Sequence, residues 1–432
     1  MKLAVVVQRY GADTSGGAEL HARYIAERLA RHATVEVLTT CARDYVTWKN
    51  ELPAGDDQLN GIRLRRFPVS RPRLSDDFGR WSDVVFNQAH SIADELHWLT
   101  SEGPTSPALI QHIRRVAADF DYFLFFSYRY YHAWHGARAI PTKAVLVPTA
   151  ERDAALGLAI FQPVFRGARA VMYNSPEERA LIEHVSGRPR QQPGVVVGVG
   201  SEIPERTQPW RFRRKFNVGR RFAICIGRID ENKGCGELFD YFARYALMYP
   251  EGLDLLLVGS AHMPIPAHPR IRHLGFLSDA DKFDGLAAAD LLVVPSRYES
   301  LSMVTLEAWA LGKPVLVNSR CDVLRGQAVR ANAGLYYETF DEFAEALYQL
   351  DSTGPVGAGL GRHGREFFRR HYTWSVIERK YLDMFERLSR LPATGIDPLP
   401  GFFARRARTV PPAAAVVAAA PAGAVAPGNE HP

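Results

Sequence analysis

Two glutamates eight positions apart stand in the run Arg297-Tyr298-Glu299-Ser300-Leu301-Ser302-Met303-Val304-Thr305-Leu306-Glu307. The apolar run before them, residues 291–295, reads as a short strand. The residues after them continue as a helix through Ala308, Trp309, Ala310 and Leu311, which stops at Gly312 with Pro314 just beyond. Glu299 is therefore expected at the carboxyl end of a strand and before a helix N-terminus, where open α/β sheets bind their ligands. Glu307 falls about two turns later on a helix too apolar to hide an idle carboxylate cheaply. A helix N-terminus offers amide donors to an anion, and carboxylates accept hydrogen bonds from hydroxyls. A site that wants both a phosphate and several hydroxyls suggests a sugar nucleotide. The plain alternative is a helix-end charge and a buried ion pair.

A second group lies upstream, in Gly227-Arg228-Ile229-Asp230-Glu231-Asn232-Lys233-Gly234, directly after the apolar run 222–226. Arg228 and Lys233 put two cations on one loop, which suits the two charges of a diphosphate; solvated turn charges are the alternative. Gly16-Gly17 follows the first strand and would let backbone approach a phosphate, or would only make a tight turn. Gly259 and Gly275 also sit at strand ends, bordering a base pocket or merely turning the chain.

These groups need elements to hold them. Residues 3–7 form a β-branched run expected of a strand buried on both faces. The Gly16-Gly17 loop, an amphipathic helix at 18–31 and a strand at 34–39 complete a β-loop-α-β unit. Further strands are expected at 122–126, 144–147 and 170–173. Residues 73–120 read as mostly helical, with Trp81, Val84, Val85, Ile92 and Leu96 on one face. A Pro-, Gly- and Val-rich stretch at 193–209 fits a linker. A second alternating set follows, with strands at 222–226, 253–258, 272–274, 291–294 and 315–317 and helices at 341–350, 359–371 and 375–391. The expected division is a first domain at 1–197, a second at 198–374, a helix at 375–391 returning to the first, and an Ala/Pro-rich tail at 392–432 with too little to bury. Two such domains in tandem create a cleft between two sets of strand ends.

With 432 residues the chain is long for one core. Its 47% hydrophobic and 23% charged residues are ordinary for a globular protein, and a net charge of +6 is modest for the length. No nucleic-acid partner is implied, since that would need clustered charge with stacking aromatics. The basic run Arg63-Leu64-Arg65-Arg66, continuing to Arg71 and Arg73, reads as a solvated strand edge or as a contact with an anionic membrane surface. Four separated cysteines, Cys41, Cys225, Cys235 and Cys321, form no metal-ligand pattern and suit a reducing cytoplasm. The N-terminal apolar run is too short for a signal sequence, and no stretch is long enough to span a membrane.

Taken together, Gly16-Gly17-Ala18-Glu19, Gly227-Arg228 with Lys233-Gly234, and Glu299-Ser300-Leu301-Ser302-Met303 with Glu307 resemble the retaining GT-B glycosyltransferases of family 4, in order and spacing, over residues 1–391. The resemblance implies two Rossmann-like doubly wound domains facing across a cleft. It implies that Arg228 and Lys233 hold the diphosphate of a nucleotide-sugar donor and that backbone at Ser300, Leu301 and Ser302 adds amide donors. Glu299 would contact the transferred sugar and Glu307 the ribose, with Gly16 and Gly17 closing on the donor from the first domain. Catalysis would rest on Arg228, Lys233 and Glu299, with no metal and no other cofactor. The family commonly carries a histidine just after the strand equivalent to 144–147. This chain has Pro148-Thr149-Ala150-Glu151-Arg152-Asp153 there, which makes Glu151, with Asp153, the candidate acceptor-side residue. The implied enzyme works in the cytoplasm, moving a sugar to the hydroxyl of a glycan or lipid-linked acceptor, with peripheral contact at the inner membrane surface. A binding subunit without chemistry and a sugar-nucleotide epimerase remain alternatives. A dinucleotide oxidoreductase is disfavoured because no G-x-G-x-x-G follows the first strand.

Overall fold

Runs of Val, Leu, Ile and Phe that can be covered on both faces become parallel strands, and the amphipathic segments between them become the covering helices. The computed structural model describes residues 1–14, 16–187, 193–350, 354–393, 395–399 and 418. In chain order the first sheet holds β1 (Lys2–Val6), β2 (Thr34–Thr40), β3 (Gly55–Leu59), β4 (Ile62–Phe67), β5 (Tyr122–Phe126), β6 (Ala144–Val147), β7 (Ala170–Tyr173) and β8 (Gly194–Val196). Its spatial order is β3-β4-β2-β1-β5-β6-β7-β8, with only the β3–β4 hairpin antiparallel. The second sheet holds β9 (Phe222–Ile226), β10 (Asp254–Val258), β11 (Ile271–His273), β12 (Leu291–Val294), β13 (Val315–Asn318) and β14 (Gly334–Tyr337). Its order is β11-β10-β9-β12-β13-β14, and each neighbouring pair is parallel.

In both sheets the strand order reverses beside the first strand. The reversal lies between β1 and β5 in one and between β9 and β12 in the other. Helices diverge to opposite faces at such a point, which leaves a crevice at the strands' carboxyl ends. The loops after β1, β5, β9 and β12 therefore border that crevice. Both sheets belong to one compact unit, Met1–Ile396, and several contacts join them. The helix Trp374–Arg390 returns to the first sheet, where Phe385 stacks on Tyr122 at 5.4 Å and Lys380 Nζ donates to the Val197 carbonyl at 3.1 Å. Arg330 forms a fork with Glu177, and Arg152 Nη2 lies 2.8 Å from Asp322.

Several details differ from the sequence reading. The stretch expected as a linker contributes β8 to the first sheet before it crosses over, because Gly194–Val196 completes the row beyond β7. Residues 73–120 form three helices, Ser75–Asn87, Ile92–Glu102 and Pro107–Val116, and no single face is buried along them. Val85, Trp98, Leu99 and Ile113 are buried, whereas Trp81, Val84, Ile92 and Leu96 are only partly covered, since the chain reverses between the helices. The basic run is not an edge: β4 pairs with β2 on one side and β3 on the other. Nor is it an open cationic surface, since Arg65 pairs with Asp56, Arg66 with Asp57, Arg71 with Asp77 and Arg73 with Glu102. Strands β3, β4 and β14 are further additions; the last carries too little apolar periodicity to stand out. Among the described residues no helix is long and apolar enough to cross a membrane. The Ala/Pro-rich tail lies outside the described residues from 400 onward, apart from residue 418.

Candidate active site

The site is built from loops at strand carboxyl ends. Beyond β9 the chain turns through Gly227 at φ 146°, a conformation that favours glycine. Arg228 and Asp230 pair on this loop, and Arg228 Nη1 donates to the Tyr45 hydroxyl of the first domain at 3.1 Å. Asp230 also accepts the Lys233 backbone N–H at 2.8 Å, which folds the loop back on itself. Lys233 then reaches Glu299 on the loop after β12, Nζ to Oε1 at 2.7 Å. Burial alone would lower the Lys233 pKa, but the Glu299 carboxylate outweighs it and holds the ammonium above its ordinary value. The two loops also touch through backbone. Gly234 has φ 73°, and a Cβ there would lie 2.2 Å from the Pro295 carbonyl oxygen.

After Glu299 the chain enters the helix Met303–Ala310, capped by Ser302, whose hydroxyl accepts from the Thr305 N–H at 3.4 Å. Ser302 and Leu301 are buried, and Ser300 is partly exposed. The first-turn amides of such a helix have no intrahelical acceptors and form a seat for an anion. Arg228, Lys233 and this helix start thus converge from β9 and β12, the strands that flank the reversal of order. That clustering is what a diphosphate requires.

Glu307 lies on the same helix, 5% exposed, with Lys282 Nζ 3.1 Å from its Oε1. Burial raises its pKa and the Lys282 ammonium opposes the rise. The ion-pair alternative is therefore realised in this structure, and a ribose would have to share the carboxylate with Lys282. Gly259 has φ 138°, and a Cβ there would fall 1.8 Å from the Gly227 carbonyl oxygen. Close approach of β9 and β10 explains that glycine without a ligand. Gly275, with φ 74°, faces open space.

The first domain supplies the opposite wall. Gly16, at φ 142°, begins the helix Gly17–Leu29, and a Cβ on it would meet Glu19 Oε2 at 2.2 Å. Glu19 is locked to Arg9 by a buried ion pair of 2.6 Å. At Gly17 a Cβ would meet nothing within 4 Å, so its backbone is open to approach. Asp153 is committed within the protein: Oδ1 accepts from the Tyr128 hydroxyl at 2.9 Å and Oδ2 from Arg129 at 2.7 Å. Glu151 makes no such bond among the described residues; its carboxyl is partly buried, and burial followed by the nearby Glu299 charge pushes its pKa up to about 7. His132 is fully buried with Nε2 2.9 Å from the Phe126 carbonyl oxygen, and burial holds it and His135 at about 4. Both are neutral, His132 in the core and His135 partly exposed.

Four features escape a sequence reading. Tyr45, from the loop after β2, lies with Arg9 5.5 Å and Arg228 5.7 Å from its ring. Asn174, at the end of β7, donates from Nδ2 to Ser300 Oγ at 3.3 Å and so links the two sheets. Glu178 is wholly buried and accepts the Ala150 and Asn174 N–H groups at 2.5 Å each, tying the ends of β6 and β7 together. Burial pushes its pKa up to about 8. Finally, Ser127 at φ 63° and Thr149 at φ 48° adopt left-handed backbone at the ends of β5 and β6, with Thr149 Oγ1 donating to Ser127 Oγ at 3.0 Å. Strained non-glycine backbone of this kind clusters at functional sites. Only the Ser175-Pro176 helix start, with Glu178 three residues past the capping serine, left any trace in the sequence.

Comparison with known proteins agrees with this geometry. Residues 220–352 match the family model described as glycosyl transferases group 1. Mannosylfructose-phosphate synthase of Agrobacterium fabrum is 26% identical, over 42% of this chain and 43% of that protein. D-inositol 3-phosphate glycosyltransferase of Corynebacterium urealyticum is 22% identical, over 90% of this chain and 95% of that protein. Among solved structures, HepE of Anabaena in complex with UDP-glucose superposes with a TM-score of 0.66 at 18% identity, covering 90% of this chain and 100% of HepE. The shared two-sheet architecture is the GT-B fold, and within it residues 220–352 carry the likeness to the group 1 glycosyl transferases.

Proposed function

We propose that the chain moves a sugar from a nucleoside-diphosphate sugar to a hydroxyl of a glycan or lipid-linked acceptor, with retention of configuration at the transferred carbon. The observation that carries this reading is the Lys233–Glu299 contact of 2.7 Å beside Arg228 and the start of the helix Met303–Ala310. Two cations and a helix start can take a diphosphate, and a carboxylate beside them can take sugar hydroxyls. Binding the donor requires Lys233 to turn part of its charge from Glu299 to phosphate and Arg228 to release Tyr45. As the bond from sugar to phosphate breaks, negative charge grows on the leaving oxygen, and Arg228 and Lys233 stabilise it in a site preorganised before reaction. The leaving phosphate oxygen takes the acceptor proton on the face from which the diphosphate departs, which gives retention. Glu307 holds the ribose, Gly17 offers open backbone from the first domain, and Glu151 borders the acceptor.

The test is a panel of UDP-glucose, GDP-mannose and ADP-glucose, examined first for thermal stabilisation and then for slow hydrolysis and transfer. Saturating donor should stabilise the fold by a few kcal/mol. Because protein cations meet the leaving charge, turnover should persist in chelator. Transfer with inverted configuration would refute the proposed geometry, and binding without any turnover would favour the reading of a binding subunit.

A further inference from the structure

Around Glu151 the charges do not balance. The titratable groups close enough for their charge to act on it, or its charge on them, are Glu299, Lys233 and Cys321 from the second domain and Asp153, Arg129, Tyr128 and Glu178 from the first. Both cations in that set are already bound. Lys233 holds Glu299 at 2.7 Å, and Arg129 lies 2.7 Å from Asp153 and 2.9 Å from Glu102. Glu178 spends both carboxyl oxygens on backbone N–H groups, one of them belonging to Ala150, which fixes the chain next to Glu151. The Glu151 carboxyl has no ion pair or hydrogen bond among the described residues.

A donor adds two further negative charges next to Lys233. Its arrival must raise the proton affinity of any nearby carboxyl that lacks a counter-charge. We propose that donor binding draws a proton onto Glu151, so that an uncharged carboxyl faces the transferred sugar and the acceptor as a hydrogen-bond donor. This rests on the nucleotide-sugar reading above. A protonated carboxyl has one O–H to give and a carbonyl oxygen that accepts, whereas an ionised one would repel the diphosphate. The free group is poised for this, since burial and Glu299 bring its pKa to about 7.

Calorimetric titration of the full chain with UDP-glucose, or with GDP-mannose or ADP-glucose if that is the one bound, tests the coupling. The phosphates of such a diester do not titrate near neutrality, so any proton exchanged belongs to the protein. At pH 7.5, in two buffers of different ionisation enthalpy, the chain should take up as much as roughly 0.8 proton per donor, the fraction of a group of pKa about 7 that is ionised there. Donor affinity should weaken by up to about tenfold per pH unit above that range. Glu151→Gln keeps the shape, should bind donor, and should show neither uptake nor pH dependence. Equal heats in both buffers for the natural chain would overturn the inference while leaving the donor reading intact. So would uptake that persists undiminished in Glu151→Gln, which would assign the proton elsewhere. No binding of any of the three nucleotide sugars would overturn the donor reading, and the coupling with it.

Discussion

Lys233→Ala separates what the ion pair does for the fold from what the cation does for the reaction. Lys233 Nζ and Glu299 Oε1 are 2.7 Å apart, with the lysine side chain 32% and the glutamate 15% exposed. Exposed pairs contribute roughly 0–1 kcal/mol, and breaking a fully buried pair costs about 3–5 kcal/mol. This pair lies between those limits, so the loss in stability should be about 1–3 kcal/mol, most of it from the carboxylate left without its partner. The reaction should lose more. Removing one preorganised donor to a developing anion costs about 2.7–4 kcal/mol, or about 10²–10³ in turnover, because the cation meets more charge in the transition state than in the bound donor. The double variant Lys233→Ala/Glu299→Gln carries no orphaned charge. It should regain most of the melting temperature and none of the turnover. The assay is steady-state transfer with donor varied, beside thermal unfolding of the same preparations. Turnover within a few-fold of normal in Lys233→Ala, or recovery of both quantities in the double variant, would refute the reasoning and leave this contact as a structural ion pair.

Arg228→Lys should recover only part of the activity lost in Arg228→Ala, since an ammonium cannot reproduce a bidentate fork; equal kcat in Arg228→Lys and the natural chain would count against a diphosphate contact. Glu307→Gln should weaken donor binding by about 1.5–3 kcal/mol, the range for a hydrogen bond to a charged group; unchanged affinity for the bare nucleotide would remove Glu307 from the site and leave it to Lys282. Gly259→Ala must place a methyl where the Gly227 carbonyl oxygen lies 1.8 Å away, at φ 138°, so it should destabilise by more than about 1 kcal/mol; a melting temperature equal to the natural chain would show that the strand ends shift freely. Glu178 is expected to make stability fall as pH rises. Its folded pKa of about 8 lies above the 4.5 of an exposed glutamate, so the folded state holds a proton that the unfolded chain has released. Its contribution is present below pH 4.5 and is lost as pH rises toward 8, at up to about 1.4 kcal/mol per unit. A urea midpoint that does not drop between pH 6.5 and 8 would contradict it.

Much of this architecture is legible in the chain alone. Runs such as Leu291–Val294 and Phe222–Ile226 read as buried strands because they are short, apolar on both faces and stopped by their flanking residues, and strands they are. Gly312, at φ 71°, ends its helix where the sequence places the stop. Arg228, Lys233 and Glu299 could be singled out because loop position at a strand's end is a local property, readable from the apolar run just before each. Pairing across the molecule is not local. That Lys233 meets Glu299, 66 positions away, that Glu307 takes Lys282, and that Asp153 is spent on Tyr128 and Arg129 all follow from how strands are ordered in the sheets. The basic run 63–73 reads in sequence as a solvated strand edge or a membrane contact, and in the fold Arg65 and Arg66 are paired because β3 brings Asp56 and Asp57 alongside them. Glu151 shows the division most sharply. Its residue type and its place after β6 are sequence facts, but its proton affinity depends on which nearby cations are already taken. Charge balance in a buried site is a sum over neighbours, and only the tertiary structure says who they are.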